Sequence, residues 1–240
     1  MVNRKMESRY IFNEDYMADP SAHVFEGKLY IYPSHDRDGG HSKNDNGDHF
    51  MMRDYHALQL DDVENGQAVD LGKVLDLNDI PWASKQLWDN DVMEKNGRYY
   101  MVFSAKDKSG IFRLGVAVAD CPNGPFIPET DPIRGSYSID PCLFKDEDGE
   151  IYCVFGGIWG GQLQCYRNNE LIENPVLPKG TELCICPRIA KMSDDMLQFA
   201  EPPREIEMLD ANGNRMLAED ICHFFEASWM YREGDTYILM

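Results

Sequence analysis

Four short segments of this 240-residue chain repeat one pattern: an acidic residue, a strand-like run, a Gly-centred turn and a second strand-like run. Asp19 leads to Gly27, Asp91 to Gly97, Asp140 to Gly149 and Glu226 to Gly234, at offsets of 8, 6, 9 and 8 residues. Each glycine is followed by an apolar and aromatic run, such as Tyr99-Tyr-Met-Val-Phe103 or Ile151-Tyr-Cys-Val-Phe155. A second motif follows each of the first three hairpins: a strand, a polar turn and another short strand. Its copies begin at Asp54, Arg113 and Arg188 and run on to Asp62, Asp120 and Asp195. Two hairpins per unit make four strands per unit, and four-stranded units repeated along a chain are the signature of β-propeller blades.

The expected class is therefore all-β, with residues 1–240 forming a single propeller domain. Long helical periodicity is absent, while alternating apolar runs bounded by Gly, Asn, Asp and Pro recur throughout. A β-sandwich would also use short strands but does not call for repeated two-hairpin units. The repeat glycines lie 70, 52 and 85 residues apart. That exceeds the roughly 40–50 residues of a compact blade, so long loops must decorate the units. One is the polar stretch 37–49, expected to be mobile. The fourth unit stops in its second strand. The chain thus reads as three blades and the start of a fourth, a partial form of a longer protein.

Composition removes several functional classes. A net charge of −19 disfavours nucleic acid as a partner, since phosphate binding needs clustered Lys and Arg. It suits a neutral ligand. No run approaches the roughly 18 apolar residues of a membrane span, so no membrane partner is expected. The first 18 residues are polar, without a signal-like apolar core, and seven cysteines cannot all pair within the chain. Both features point to a cytoplasmic setting with reduced thiols.

If the hairpins are equivalent, their leading acids gather at one mouth of the propeller axis. Converging carboxylates suit hydrolysis of a glycosidic bond. Asp before Pro, at 19–20 and 140–141, is also an ordinary turn start, but the fourfold recurrence favours a shared purpose. Trp88 and Trp159 are candidates for stacking on sugar faces. Trp159 lies in Gly156-Gly-Ile-Trp-Gly-Gly161, where glycines permit close approach of a ligand or backbone. The full set of candidate substrate contacts is His35, Trp88, Asp91, Ser138 and Trp159. His23, flanked by apolar strand residues, reads as structural.

Tyr16-Met-Ala-Asp-Pro-Ser21, Ser138-Ile-Asp-Pro141 and Phe225-Glu-Ala-Ser-Trp229 resemble, in order, the three catalytic signatures of glycoside hydrolase family 43. Gly124-Pro-Phe126, the Trp88–Asp91 segment and Lys191-Met-Ser-Asp-Asp-Met-Leu197 are similar to the same family. The resemblance implies a five-bladed β-propeller, cleavage of α-L-arabinofuranosyl or β-D-xylosyl linkages, and inversion at the anomeric carbon. It casts Asp19 as general base, Glu226 as general acid and Asp140 as the acid that tunes and positions. Anionic Asp140 is expected to keep Glu226 protonated near neutral pH. No cofactor is required on this reading, although the family's central channel can hold a structural calcium. The implied partner is a neutral pentose-containing oligo- or polysaccharide. A sugar-binding propeller without turnover is the alternative. Two departures stand out: Trp88-Asp-Asn-Asp91 replaces the family's Trp-Ala-Pro-Asp, and Glu226-Ala-Ser-Trp229 its Glu-Gly-Pro-Trp.

Overall fold

The computed structural model describes residues 9–240. Strands β1 (Met17–Phe25), β2 (Lys28–His35), β3 (Asp54–Leu60) and β4 (Val69–Asp76) form one antiparallel sheet in chain order. The second sheet holds β5 (Ala83–Lys85), β6 (Asn90–Lys95), β7 (Arg98–Asp107), β8 (Phe112–Ala119) and β9 (Ile127–Pro128). Strands β6 to β9 follow in order, and β5 pairs with the far end of β7. The third sheet begins with β10 (Cys142–Lys145) and β11 (Ile151–Phe155). A small hairpin, β12 (Tyr166–Arg167) and β13 (Glu170–Leu171), intervenes before β14 (Arg188–Lys191) and β15 (Arg204–Glu205) complete the sheet. A last hairpin, β16 (Met230–Glu233) and β17 (Thr236–Leu239), follows. Four-strand meanders are thus present at each expected place.

The repeated glycines make the tight turns. Phe25 pairs with Lys28 and Lys95 with Arg98, leaving two-residue loops, Glu26-Gly27 and Asn96-Gly97. All four loop residues have φ between 54° and 77°. That double positive φ matches the right-handed twist of the strands it joins, and glycine adopts it without a Cβ clash.

The sheets pack face to face, so central strands are buried on both sides. Along β7, Met101, Phe103 and Ala105 enter a core shared with the first sheet, containing Tyr32, Tyr55 and Leu87. The alternate residues Tyr100 and Val102 enter a core shared with the third sheet, containing Leu114, Cys153 and Phe155. Period-two alternation into two cores explains why β7 is apolar almost throughout. Each fully buried Phe or Leu contributes about 1.5–3 kcal/mol. The inner strands β1, β6, β10 and β16 succeed one another around the axis, with contacts between β1 and β6, β6 and β10, and β10 and β16.

Candidate active site

At the end of the inner strands where Asp19 lies, an open cavity of about 610 Å³ is lined by Asp19, Asp36, Asp89, Asp140 and Glu226. Trp88, Phe50, Trp159 and Phe225 give it apolar walls. Three of the acids stand on bent backbone. Asp19 sits where the β1–β2 register slips between Ala18 and Ser21, with φ 46°. Asp140 has φ 58°, and Ala227, just after Glu226, has φ 61°. Bulges and left-handed residues of this kind redirect side chains at strand ends.

The fourth acid is Asp89, which the repeat reading passed over for Asp91. Asp91 lies inside β6 and is buried. Its carboxylate accepts from the backbone N–H groups of Val92 and Leu143 and faces His23 Nε2. It therefore ties three inner strands together and does not reach the cavity. The signal for Asp89 was present: it stands eight residues before Gly97, the offset shared by Asp19 and Glu226, whereas Asp91 stands six before it.

His35 and Ser138 are also absent from the cavity wall. Ser138 is fully buried; its hydroxyl donates to the Gly161 carbonyl at 2.7 Å and accepts from Gly157 N–H at 3.0 Å. This knots the glycine-rich segment to the Asp140 loop. His35 turns toward Asp15 and Asp54. Trp88 and Trp159 do line the cavity, Trp88 buried and Trp159 47% exposed. The glycines beside Trp159 serve backbone approach: a Cβ on Gly157 would meet Ile139 at 2.7 Å and the Glu226 Cβ at 3.2 Å.

Two hydrogen bonds hold the Glu226 segment. Ile158 N–H donates to the Phe225 carbonyl at 3.1 Å, and Ala227 N–H donates to Asp140 Oδ2 at 2.9 Å. Asp140 thus fixes the backbone beside Glu226 directly. The loop at 37–49 is not a free decoration; it folds over the cavity and is pinned to the second sheet. Gln86 Nε2 donates to the Gly47 carbonyl at 2.7 Å, and Trp88 Nε1 to the Phe50 carbonyl at 3.0 Å. Buried Lys106 donates to the Asn46 carbonyl at 3.2 Å, with its ammonium 4.9 Å from the Phe112 ring centre. The loop is held through the Gly47 and Asn46 carbonyls and through the Asp48 carboxylate, which pairs with Lys85 at 3.1 Å; sequence polarity does not reveal such partners.

The electrostatics follow from crowding. Burial and then the charges of Asp89, Glu226 and Asp36 push the Asp19 carboxyl up to about 6. Burial and the Asp89 charge also raise Glu226. Asp140, buried and hydrogen-bonded to Asp89, is pushed well above the carboxylate range. The expectation that Asp140 supplies the charge keeping Glu226 protonated is therefore revised. Asp140 is itself driven toward the neutral form, and the charge acting on Glu226 is that of Asp89.

Calcium takes six to eight oxygen ligands. Among the described residues, the carboxylate between the inner strands is that of Asp91, already engaged by two N–H groups and His23. The Asp91 carboxylate is thus already committed to strand pairing. No described helix is long and apolar enough to cross a membrane.

Sheets stacked around an axis, with a carboxylate-lined, aromatic-walled cavity at one mouth, describe a propeller glycosidase. Residues 16–240 match the sequence profile of glycosyl hydrolases family 43. The chain is 56% identical to a β-xylosidase of Xylanibacter ruminicola, over 98% of this chain and 77% of that protein. It is 55% identical to a xylosidase/arabinosidase of Bacteroides ovatus, over 98% of this chain and 76% of that protein. Among solved structures, RS223 β-xylosidase superposes with a TM-score of 0.94 at 56% identity, covering 96% of this chain and 72% of that one. CoXyl43, a β-xylosidase/α-arabinofuranosidase from a compost metagenome, superposes with a TM-score of 0.93 at 53% identity, covering 98% of this chain and 73% of that one. That structure is a xylotriose complex in a calcium-free form. The chain belongs to glycosyl hydrolases family 43 and is a glycoside hydrolase.

Proposed function

We propose that the chain hydrolyses β-D-xylosyl linkages of xylan-type oligosaccharides, and α-L-arabinofuranosyl linkages as a second substrate class, by single displacement with inversion. The observation that carries this reading is the meeting of Asp19, Asp89, Asp140 and Glu226 in one cavity beside Trp88 and Trp159. The substrate class draws on the relatives named β-xylosidase and xylosidase/arabinosidase and on the xylotriose-bound neighbour. Six carboxylates on the wall, Asp45 together with the five named above, make an anionic pocket that suits a neutral sugar.

In this mechanism ionised Asp19 removes a proton from a water on one face of the sugar. Protonated Glu226 delivers a proton to the leaving glycosidic oxygen on the other. An inverting pair needs its carboxyls roughly 6.5–9.5 Å apart to leave room for that water. Asp140 works through backbone: by accepting from Ala227 N–H it fixes the turn that presents Glu226. Burial first, and then the charge of Asp89, disfavour ionisation of Glu226 and so favour its acid form. The aromatic walls exclude water from the apolar sugar face.

The test is a pair of variants assayed with aryl xylosides of differing leaving-group acidity. Asp19→Ala is expected to lose at least about 100-fold in kcat on every substrate, as removal of a general base does. Glu226→Ala should lose most on poor leaving groups and least on those that depart without a proton. Near-normal turnover by Asp19→Ala, or a Glu226→Ala loss independent of the leaving group, would refute the assignment.

A further inference from the structure

Outside the cavity, on the first sheet, a second constellation joins the start of β1, the end of β2, and strands β3 and β4. One ligand atom from each of His35, Asp54 and His56 lies within 4.8 Å of the other two. The geometry points to a binding site for a divalent d-block cation of the zinc type, held by His35, Asp54 and His56. Two imidazoles and one carboxylate are a borderline donor set suited to zinc or cobalt, quite unlike the all-oxygen shell of calcium.

Three observations support it. First, each imidazole has an outer carboxylate of its own. Asp15 Oδ2 is 3.1 Å from His35 Nε2, and Asp70 Oδ2 is 2.8 Å from His56 Nδ1. This leaves His35 Nδ1, which faces Asp54 Oδ1 at 2.9 Å, and His56 Nε2 for a cation. Metal-binding histidines characteristically give their second nitrogen to such a carboxylate, which fixes tautomer and ring orientation. Second, the donors are sheltered: the side chains of His35, Asp54 and His56 are 14%, 6% and 16% exposed. A buried carboxylate calls for a positive partner. Third, a cation already stands there. Arg37 Nη2 lies 3.0 Å from Asp54 Oδ2 and 3.2 Å from His35 Nδ1. Its side chain is 49% exposed, so it can swing outward when a metal takes the position. A zinc tetrahedron with bonds of about 2.1 Å has edges of roughly 3.4 Å; the His35 Nδ1–Asp54 Oδ1 pair, at 2.9 Å, would open slightly, and every donor already lies within 4.8 Å of the others. Water would complete a four-coordinate shell.

The site would staple β2 to β3 and, through Asp15, fix the segment entering β1. Asp36, next to His35, lines the cavity, so this staple would steady one wall of the active site without joining the chemistry.

The experiment is titration of the full 240-residue chain, stripped with chelator, with Co²⁺ followed by visible absorption, and with Zn²⁺ in competition. One equivalent should give the intense d–d bands of low-coordinate cobalt without thiolate charge-transfer bands, and Zn²⁺ should displace it. His56→Ala should abolish the bands. Asp70→Asn should weaken binding about 10–100-fold, the usual effect of losing an outer carboxylate. Arg37→Ala leaves every ligand in place and should tighten binding severalfold; it keeps the test decisive if the histidine variant does not fold. The proposal is overturned if cobalt stays in its weakly absorbing hydrated form. It is equally overturned if the bands have thiolate character, which would place the metal on cysteine, or if Arg37→Ala and Asp70→Asn bind as the parent does.

Discussion

Replacing Asp89 by Asn removes one negative charge from the cavity while keeping side-chain size and an oxygen that accepts from Asp140. The Asp19 carboxyl is raised from 3.8 to about 6, with burial the largest cause and Asp89 the largest of three charges. The whole rise is about two pH units, so loss of one secondary contributor should lower Asp19 by about 0.5–1 pH unit. At pH 5 the ionised fraction of Asp19 would then climb from about one-tenth to between one-quarter and one-half. Relative to its own plateau, kcat/KM at pH 5 should rise about three- to fivefold. Because Asp89 also raises Glu226, the alkaline limb should move down too, shifting the whole bell toward acid. Asp36 acts on Asp19 but is not among the charges acting on Glu226. Asp36→Asn should therefore move the acid limb alone. The assay is kcat/KM for an aryl xyloside from pH 4 to 9. An Asp89→Asn acid limb that stays in place or moves toward alkali would refute the electrostatic assignment.

The remaining predictions concern what holds the site. Asp91→Ala leaves the Val92 and Leu143 N–H groups without their buried acceptor and should cost about 3–5 kcal/mol in a urea or thermal melt. At temperatures where that variant is folded, its KM should stay close to the parent's, since Asp91 does not reach the cavity. Lys106→Ala removes a buried side chain and one anchor of the loop over the cavity. It should destabilise by about 2–4 kcal/mol and raise KM more than it lowers kcat, which steady-state kinetics beside a melt will show.

The blade pattern was legible because it is local: two-residue Gly turns and period-two strands follow from short stretches of chain, as at Glu26-Gly27 and Asn96-Gly97. The acids at 19, 140 and 226 were legible as a recurrence at those hairpins. Asp89 was harder to see because Asn90, Asp91 and Asp89 crowd one strand entry. Which acid faces the axis contacts and which the mouth depends on pairing with β7 and on neighbouring blades. Ser138 and His35 carry polar groups that suit a sugar, yet their partners, Gly157, Gly161, Asp15 and Asp54, come from other loops and strands. The same holds for the loop at 37–49, whose anchors Gln86, Trp88 and Lys106 lie in the second sheet or its approach.

The central claim is that Asp19 and Glu226 act across the sugar in one displacement. The most direct measurement is proton NMR of the xylose first released from a β-xyloside, recorded before mutarotation. The account predicts that α-xylose appears first and the β anomer grows in later; initial release of β-xylose would contradict it.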